Sequence, residues 1–282
     1  MKTPERYRLV VALRPFSLVV AVVSCALGIA LAWRDGCFDA VLAFWVMIGG
    51  VLAQAGINLI NDVEDLSAVG PTPVEARLVA MIRRNQWAGI ACFVAASLVA
   101  AYLISLRGWP LFWLVLFSGI TALSYNLGPF SLKHRGLALL QVFLLMGVVM
   151  VQGAYLAMSG RFSQNVFWHS LPVSLLVSLL LLSNELRDWE EDRDHAVGTL
   201  TVRIGYRNAV RLYWSLIALA YALSLALAWL GQLQQWFWLL LPLPLLVPIQ
   251  RYLRARERRP LTPLTGRFFF LFGLGYLLAL AR

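Results

Sequence analysis

The chain has 282 residues, of which 60% are hydrophobic and 13% are charged, and its mean hydropathy is +0.73. Soluble domains of ordinary composition carry about 25% charged residues, so these values exclude a soluble globular protein. The formal net charge is +10, and the positions of the basic residues explain it.

Apolar segments recur along the whole chain, each close to the roughly 20 residues that a membrane span requires. They predict an all-α fold, a polytopic membrane bundle of about nine transmembrane helices, as a single domain over residues 1–282. The predicted spans are 10–33, 40–60, 88–106, 109–127, 136–158, 165–186, 208–230, 233–249 and 266–281. Pro242, Pro244 and Pro248 predict a kinked helix at 233–249, because proline interrupts the helical hydrogen bonding.

The basic residues follow the positive-inside pattern. All but four of the 24 lysines and arginines lie in the N-terminal segment or flank the loops near 61–87, 128–135, 187–207 and 250–265. The exceptions are Arg34, Arg107, Arg161 and Arg282. This distribution predicts a multi-pass protein of the cell inner membrane or plasma membrane, with its N-terminus cytoplasmic and its C-terminus outside. The net charge is therefore a topology signal, and no nucleic-acid partner is expected.

Two of these predicted cytoplasmic loops also hold all but four of the 14 acidic residues. Each cluster begins where an apolar helix ends, and its members are spaced so that they share one helical face. The sets are Asn58, Asn61, Asp62 and Asp65 in the first loop and Asn184, Asp188 and Asp192 in the second. Either set alone would be equally consistent with a solvated helix end. Together they favour binding of Mg²⁺, which takes carboxylate, amide and water oxygens and is usually completed by phosphate.

Several motifs accompany the two clusters. The blocks read N-D-x-x-D at 61–65 and N-x-x-R-D-x-x-x-D at 184–192, and T-L-T-V-R-I-G follows at 199–205. R-P-F-S stands at 14–17, and S-Y-N-L-G-P-F and L-K-H-R-G-L lie within 124–137. In these features the chain resembles the UbiA superfamily of intramembrane prenyltransferases, most closely its 1,4-dihydroxy-2-naphthoate polyprenyltransferase branch of menaquinone biosynthesis. One departure is the sequence A-V-G-T at 196–199, where the family usually has G-K-x-T.

The resemblance implies Mg²⁺-dependent transfer of a prenyl group from a prenyl diphosphate to an aromatic acceptor in the lipid bilayer. The acceptor would be 1,4-dihydroxy-2-naphthoate or a related quinone precursor. It implies metal coordination by Asp62, Asp65, Asp188 and Asp192, with help from Asn58, Asn61 and Asn184, which are also expected to bind substrate.

Four further residues are expected to take part in the chemistry, and one in acceptor binding. Lys133, one of only two lysines beside 22 arginines, is expected to contact the diphosphate with Arg135 and Arg187. Tyr125 is expected to shield the allylic cation or orient the acceptor, and Arg14 to meet an acceptor carboxylate. Four of these residues also have an ordinary interpretation. Lys133 would be a loop charge, Tyr125 an interfacial anchor and Arg14 a snorkelling side chain. Arg187 would neutralise Asp188 and Glu191.

Other functions stay open at this stage. The same fold with 4-hydroxybenzoate, homogentisate or another acceptor is the nearest alternative. A non-enzymatic binder of polyprenyl lipids is favoured by the missing lysine. A transporter is another, because acids within membranes also mark ion pathways, although these acids cluster at one membrane face. His169 and His195 are expected to be interfacial or solvated.

Overall fold

The computed structural model describes residues 4–63, 66, 73–123 and 132–281, and every regular element in them is helical. We number the spanning helices in chain order. They are α1 (Pro15–Arg34), α2 (Ala40–Asn61), α3 (Pro73–Arg107), α4 (Trp109–Leu123), α5 (Ala138–Ser159), α6 (Gln164–Arg187), α7 (Tyr206–Trp229), α8 (Trp236–Arg254) and α9 (Leu261–Leu280). Eight of them are long and apolar enough to cross a membrane, and α4 is a shorter apolar helix. The expected all-α membrane bundle of about nine helices is confirmed within this part of the chain.

The start of α1 differs from the predicted boundary at residue 10. A separate short helix, Leu9–Ala12, comes first, and α1 begins at Pro15. Between them Arg14 adopts a left-handed backbone conformation, with φ of 50°. Proline suits the first turn of a helix because it needs no intrahelical donor there. The break therefore holds Arg14 at the mouth of the bundle instead of inside a continuous helix.

Helices α3, α5 and α8 also depart from simple spans. Helix α3 begins at Pro73, well before the predicted residue 88, so the arginines of the expected loop lie on its first turns. Helix α5 contains a π-helical segment, Phe143–Val149. Helix α8 consists of 3₁₀ turns at Trp236–Leu240 and Leu243–Leu245 followed by an α-helix, Leu246–Arg254. The irregular α8 agrees with the three prolines in its sequence.

Helix α6 lies at the centre of the bundle, with most of its residues buried against α1, α5, α7 and α9. Helices α2 and α3 form the most closely associated pair on one side. Glycines permit their approach: a Cβ added to Gly89 would lie 3.1 Å from the carbonyl oxygen of Gly56 and 2.9 Å from Cγ1 of Ile60. Small residues at a helix crossing allow such close backbone packing in membranes.

Hydrogen bonds between loops define two ends of the bundle. At the end where α2 and α6 terminate, which we call the acidic end, Arg203 Nη2 donates to the His134 carbonyl at 2.9 Å. At the opposite end Arg34 Nη1 donates to the Gln232 carbonyl at 3.2 Å, and the Gln234 amide donates to the Ala279 carbonyl at 3.0 Å. The start of α1 and the end of α9 therefore lie at opposite ends.

Candidate active site

A cavity of about 1780 Å³ lies between helices α1 to α6 and reaches the acidic end of the bundle. Its wall is polar at that end and mainly apolar along the rest of its length, where Ser97, Ser105 and Ser118 are among the polar exceptions. The sequence-predicted residues that line it are Arg14, Asn58, Asn61, Asp62, Lys133, Asn184, Arg187, Asp188 and Asp192. The structure thus brings residues of both acidic clusters to one cavity, although they are far apart in the sequence.

Asp62 is the described carboxylate of the first cluster. Its side chain is only 4% exposed, and Arg14 Nη2 donates to its Oδ1 at 2.8 Å. A buried carboxylate without a partner is strongly destabilising, so this ion pair offsets much of the cost of burial. The break before Pro15 allows Arg14 to reach Asp62. Arg14 itself is 44% exposed and lines the cavity.

The second cluster follows the end of α6. Asp188 precedes a short helix, Trp189–Asp194, and the Asp192 amide donates to the Asp188 carbonyl at 2.9 Å. This helical hydrogen bond shows that Asp188 and Asp192 are one turn apart on one face, as the spacing predicted. Arg187 Nε donates to Asp188 Oδ1 at 2.7 Å, and Arg187 Nη1 donates to Thr262 Oγ1 at 3.3 Å.

Asp192 has two carboxylates and one lysine among the charged groups that act on it. Partial burial raises the pKa of the Asp192 carboxyl above its usual value, and the neighbouring carboxylates of Asp188 and Glu191 raise it further. The positive charge of Lys133 acts in the opposite direction on the same pKa. Lys133 therefore lies within electrostatic range of the second cluster, where a further cation would relieve the repulsion between carboxylates.

The short helix that carries Asp192 is fixed to the rest of the bundle by Arg258. Nη1 of this buried arginine donates to Glu190 Oε1 and Oε2 at 2.7 and 2.6 Å. Its guanidinium carbon lies 4.3 Å from the centroid of the Tyr206 ring. Burial alone would raise the pKa of the Glu190 carboxyl, but hydrogen bonds from Arg258 bring it below its usual value. This contact links the short helix to the segment before α9.

Among the polar lining residues that received no role from the sequence are Glu185, Gln54 and Ser17. Glu185 is 6% exposed, and its Oε2 accepts a hydrogen bond from the Thr201 amide at 3.1 Å. Gln54 and Ser17 line the wall beside Asn58. Gln54 precedes Asn58 by one helical turn, so extending the polar face of α2 by four residues would have identified it.

The remaining predicted residues have other positions. Arg135 is exposed and is not among the residues that line the cavity. Asp65 and Tyr125 lie outside the described residues. His195 is exposed, as expected, and lines the cavity.

The expectation for His169 was wrong, because this side chain is fully buried. Its Nε2 lies 3.3 Å from Arg34 Nη2, and its Nδ1 lies 3.0 Å from the Tyr276 hydroxyl oxygen. Arginine only donates, so Nε2 accepts and Nδ1 carries the proton. These bonds satisfy a polar side chain inside the opposite end of the bundle.

The donor set at the acidic end fits Mg²⁺ of the kind that retains water. Within residues 4–63, 66, 73–123 and 132–281, no three carboxylate, histidine or cysteine side chains form a ready-made metal cage. Asp62 instead faces the cavity from the α2 side, and Asp188 and Asp192 from the α6 side. Magnesium is commonly bound by one or two carboxylates and completed by water and substrate phosphates, so this arrangement suits a metal that arrives with a diphosphate.

The chain matches the UbiA prenyltransferase family over residues 21–274. It is 31% identical to 1,4-dihydroxy-2-naphthoate octaprenyltransferase of Escherichia coli (strain K12), over 88% of this chain and 85% of that protein. It is 26% identical to UbiA prenyltransferase domain-containing protein 1 of Dictyostelium discoideum, over 94% of this chain and 84% of that protein.

Solved structures show the same fold. A UbiA homolog from Aeropyrum pernix K1 has a TM-score of 0.67 at 21% identity, covering 97% of this chain and 99% of that one. A UbiA homolog from Archaeoglobus fulgidus bound to GPP and Mg²⁺ has a TM-score of 0.62 at 15% identity, covering 94% of this chain and 98% of that one.

Proposed function

The chain belongs to the UbiA prenyltransferase family, and from this premise we propose that it prenylates 1,4-dihydroxy-2-naphthoate or a related quinone precursor. That the protein is a prenyltransferase using a prenyl diphosphate follows from family membership. The aromatic acceptor, the dependence on Mg²⁺ and the roles of individual residues are the proposal.

The observation that carries the proposal is the two-part wall of the cavity. Carboxylates, amides and cations line its acidic end, and mainly apolar side chains line its remainder. The polar groups lie on α2, on α6 and the segment after it, just before α1 and in the loop before α5. A polyprenyl diphosphate has the same division, with a highly charged head and a long hydrocarbon tail. A cavity built for a small ion would not need the long apolar section.

The proposed reaction breaks the carbon–oxygen bond between the prenyl group and the diphosphate, whose oxygen keeps the electron pair. An electron-rich ring carbon then bonds to the allylic cation and afterwards loses the group it carried, as a proton or carbon dioxide. Lys133 and Arg187 are positioned to stabilise the negative charge that develops on the departing diphosphate. The apolar wall keeps water from the cation, which would otherwise be hydrolysed.

Asp62, Asp188 and Asp192, together with Asp65, are the proposed Mg²⁺ ligands, and Asn58, Asn61 and Asn184 the proposed supporting groups. The metal would supply Lewis-acid neutralisation of the diphosphate charge. Arg14 pairs with Asp62, and its exposed part faces the cavity, where it is available to an acceptor carboxylate. We place the acidic end on the cytoplasmic side because the basic residues concentrate there.

The alternative functions predict different products when the purified protein is assayed. Incubation with Mg²⁺, a labelled polyprenyl diphosphate and a panel of 1,4-dihydroxy-2-naphthoate, 4-hydroxybenzoate and homogentisate should yield labelled product with the first acceptor, and none in the presence of chelator. Product with only another acceptor would keep the chemistry and change the substrate. Retention of the polyprenyl lipid without product from any acceptor would instead indicate a lipid binder.

A further inference from the structure

Gln54 is a polar side chain in the apolar part of the cavity wall, and the chemistry proposed above leaves it without a role. It is 3% exposed and lines the cavity. Along α2 it lies about 6 Å beyond Asn58 and about 12 Å beyond Asp62, at 1.5 Å per helical residue. Toward the opposite end the next residues of α2 in the wall are Ala53, Gly50 and Gly49. Gln54 is therefore the innermost polar group of this face.

The hydrogen bonds around Gln54 fix the direction of its amide. The Leu13 carbonyl can only accept, so Asn58 Nδ2 must be the atom that donates to it, at 2.8 Å. Asn58 Oδ1 then points the other way, toward Gln54 Nε2 at 3.1 Å. The same Nε2 donates to Ser17 Oγ at 2.7 Å, and Ser17 Oγ donates to Asn58 Oδ1 at 3.3 Å. Both amide protons of Gln54 are thus used, and its Oε1 points away from this network.

Oε1 of Gln54 accepts no hydrogen bond from the part of the chain that the structure describes. This oxygen is nevertheless not fully enclosed by protein atoms. Because the side chain lines the cavity, the surface left on this oxygen belongs to the cavity. The wall therefore presents a fixed acceptor, with no proton to donate, at the edge of an apolar chamber.

We propose that Gln54 Oε1 binds a phenolic hydroxyl of the aromatic acceptor and so determines which ring compounds are used. This inference rests on the proposed function. The polyprenyl diphosphate has a hydrocarbon tail without donors and an ionised head without an available proton. A carboxylate would meet Gln54 Oε1 with another acceptor, so the ring hydroxyl is the substrate group that fits it. Leaving a buried hydrogen-bond acceptor without a donor costs free energy. This contact therefore discriminates against ring substrates that lack the hydroxyl.

A pair of ligands tests the subsite without requiring turnover. Purified protein is titrated calorimetrically with 1-naphthol and with 1-methoxynaphthalene, and both dissociation constants are corrected for partitioning into empty micelles. The wild-type protein should bind the naphthol roughly 2-fold to 10-fold more tightly, the range for one net hydrogen bond. Equal affinity for the two compounds would overturn the proposal.

Matched variants show whether Gln54 is the origin of that preference. Gln54→Met keeps the length of the side chain but removes the acceptor, and should bring the two dissociation constants together. Gln152→Met removes another glutamine, one that lies outside the cavity and donates to the Ser163 carbonyl at 2.8 Å, and should keep the preference. Ser17→Ala, which frees one amide proton of Gln54, should weaken it and serves where Gln54→Met does not fold.

A preference retained in Gln54→Met would contradict the proposal. Turnover by the wild-type protein is scored separately, with the acceptor panel described above. An inactive wild type that still prefers naphthol through Gln54 would contradict the proposed function but support the subsite. An active wild type without the preference would do the reverse.

Discussion

Replacement of Lys133 by alanine should slow prenyl transfer, because its ammonium group lines the cavity beside the second acidic cluster. Lys133 is partly buried, and its positive charge acts on the Asp192 carboxyl. A diphosphate bound through metal to that cluster would lie within reach of the same charge. Lys133→Ala thus removes a cation from the proposed leaving-group site.

The size of the effect follows from the type of bond that is lost. Hydrogen bonds to charged groups contribute about 1.5–3 kcal/mol, and about 1.4 kcal/mol corresponds to a tenfold change in rate. Turnover of Lys133→Ala should therefore fall by roughly 10-fold to 100-fold. Lys133→Arg should recover only part of this, because a planar guanidinium does not place its charge where a compact ammonium does.

The assay is turnover of correctly inserted protein as a function of prenyl diphosphate concentration. Arg135→Ala provides the matched control, because Arg135 is exposed in the same loop and does not line the cavity. It should keep nearly normal kinetics. Unchanged kinetics in Lys133→Ala, or an equal loss in Arg135→Ala, would refute the reasoning and indicate that this loop contributes charge only to topology.

Three further predictions concern the framework around the site. A reporter fused to the C-terminus should report the outside, and a reporter inserted between α2 and α3 should report the cytoplasm. Finding both reporters on the same side would contradict the nine-helix topology. Arg258→Leu should lower the free energy of unfolding, measured by thermal unfolding, by about 1–2 kcal/mol, because it removes the ion pair with Glu190. This magnitude is already reduced to allow for the partial exposure of Glu190. Arg256→Leu, at an exposed position, should change the free energy of unfolding by less than about 0.5 kcal/mol in the same thermal unfolding assay. Gly89→Ala should be destabilising by about 1–3 kcal/mol, because the added methyl group would be overpacked against α2. Gly119→Ala is the control and should be neutral or stabilising, because a Cβ added there would have no described atom within 4 Å. An equal effect of both substitutions would argue against the tight crossing of α2 and α3.

The ends of α2 and α6 were predictable because charge and helical spacing are local properties. The i, i+4 relation between Asp188 and Asp192 can be read from the sequence, and the structure confirms it with a backbone hydrogen bond. That both clusters line one cavity agrees with their predicted placement on one membrane side. The polar face of α2 was nevertheless predicted to begin only at Asn58. Gln54 was missed because it lies in an otherwise apolar stretch.

Features that depend on distant contacts could not be read from the sequence. Burial of His169 is made possible by Arg34 and Tyr276, which are 135 and 107 positions away. Arg14, which has a left-handed conformation, pairs with Asp62, 48 positions away. The early start of α3 was missed for another reason, since hydropathy detects the apolar part of a helix but not its polar extension.

The central claim, that both acidic clusters hold the metal-bound diphosphate, is tested most directly by turnover as a function of Mg²⁺ concentration. Asp62→Asn and Asp188→Asn should each lose turnover by at least about 10-fold, since even outer groups of metal sites contribute about 10-fold to 100-fold. Asp194→Asn should stay close to wild type, because Asp194 is 64% exposed and pairs only with Arg193 among the described side chains. Thermal unfolding verifies that each variant is folded. Near-normal turnover in folded Asp62→Asn or Asp188→Asn, at every Mg²⁺ concentration, would contradict the account.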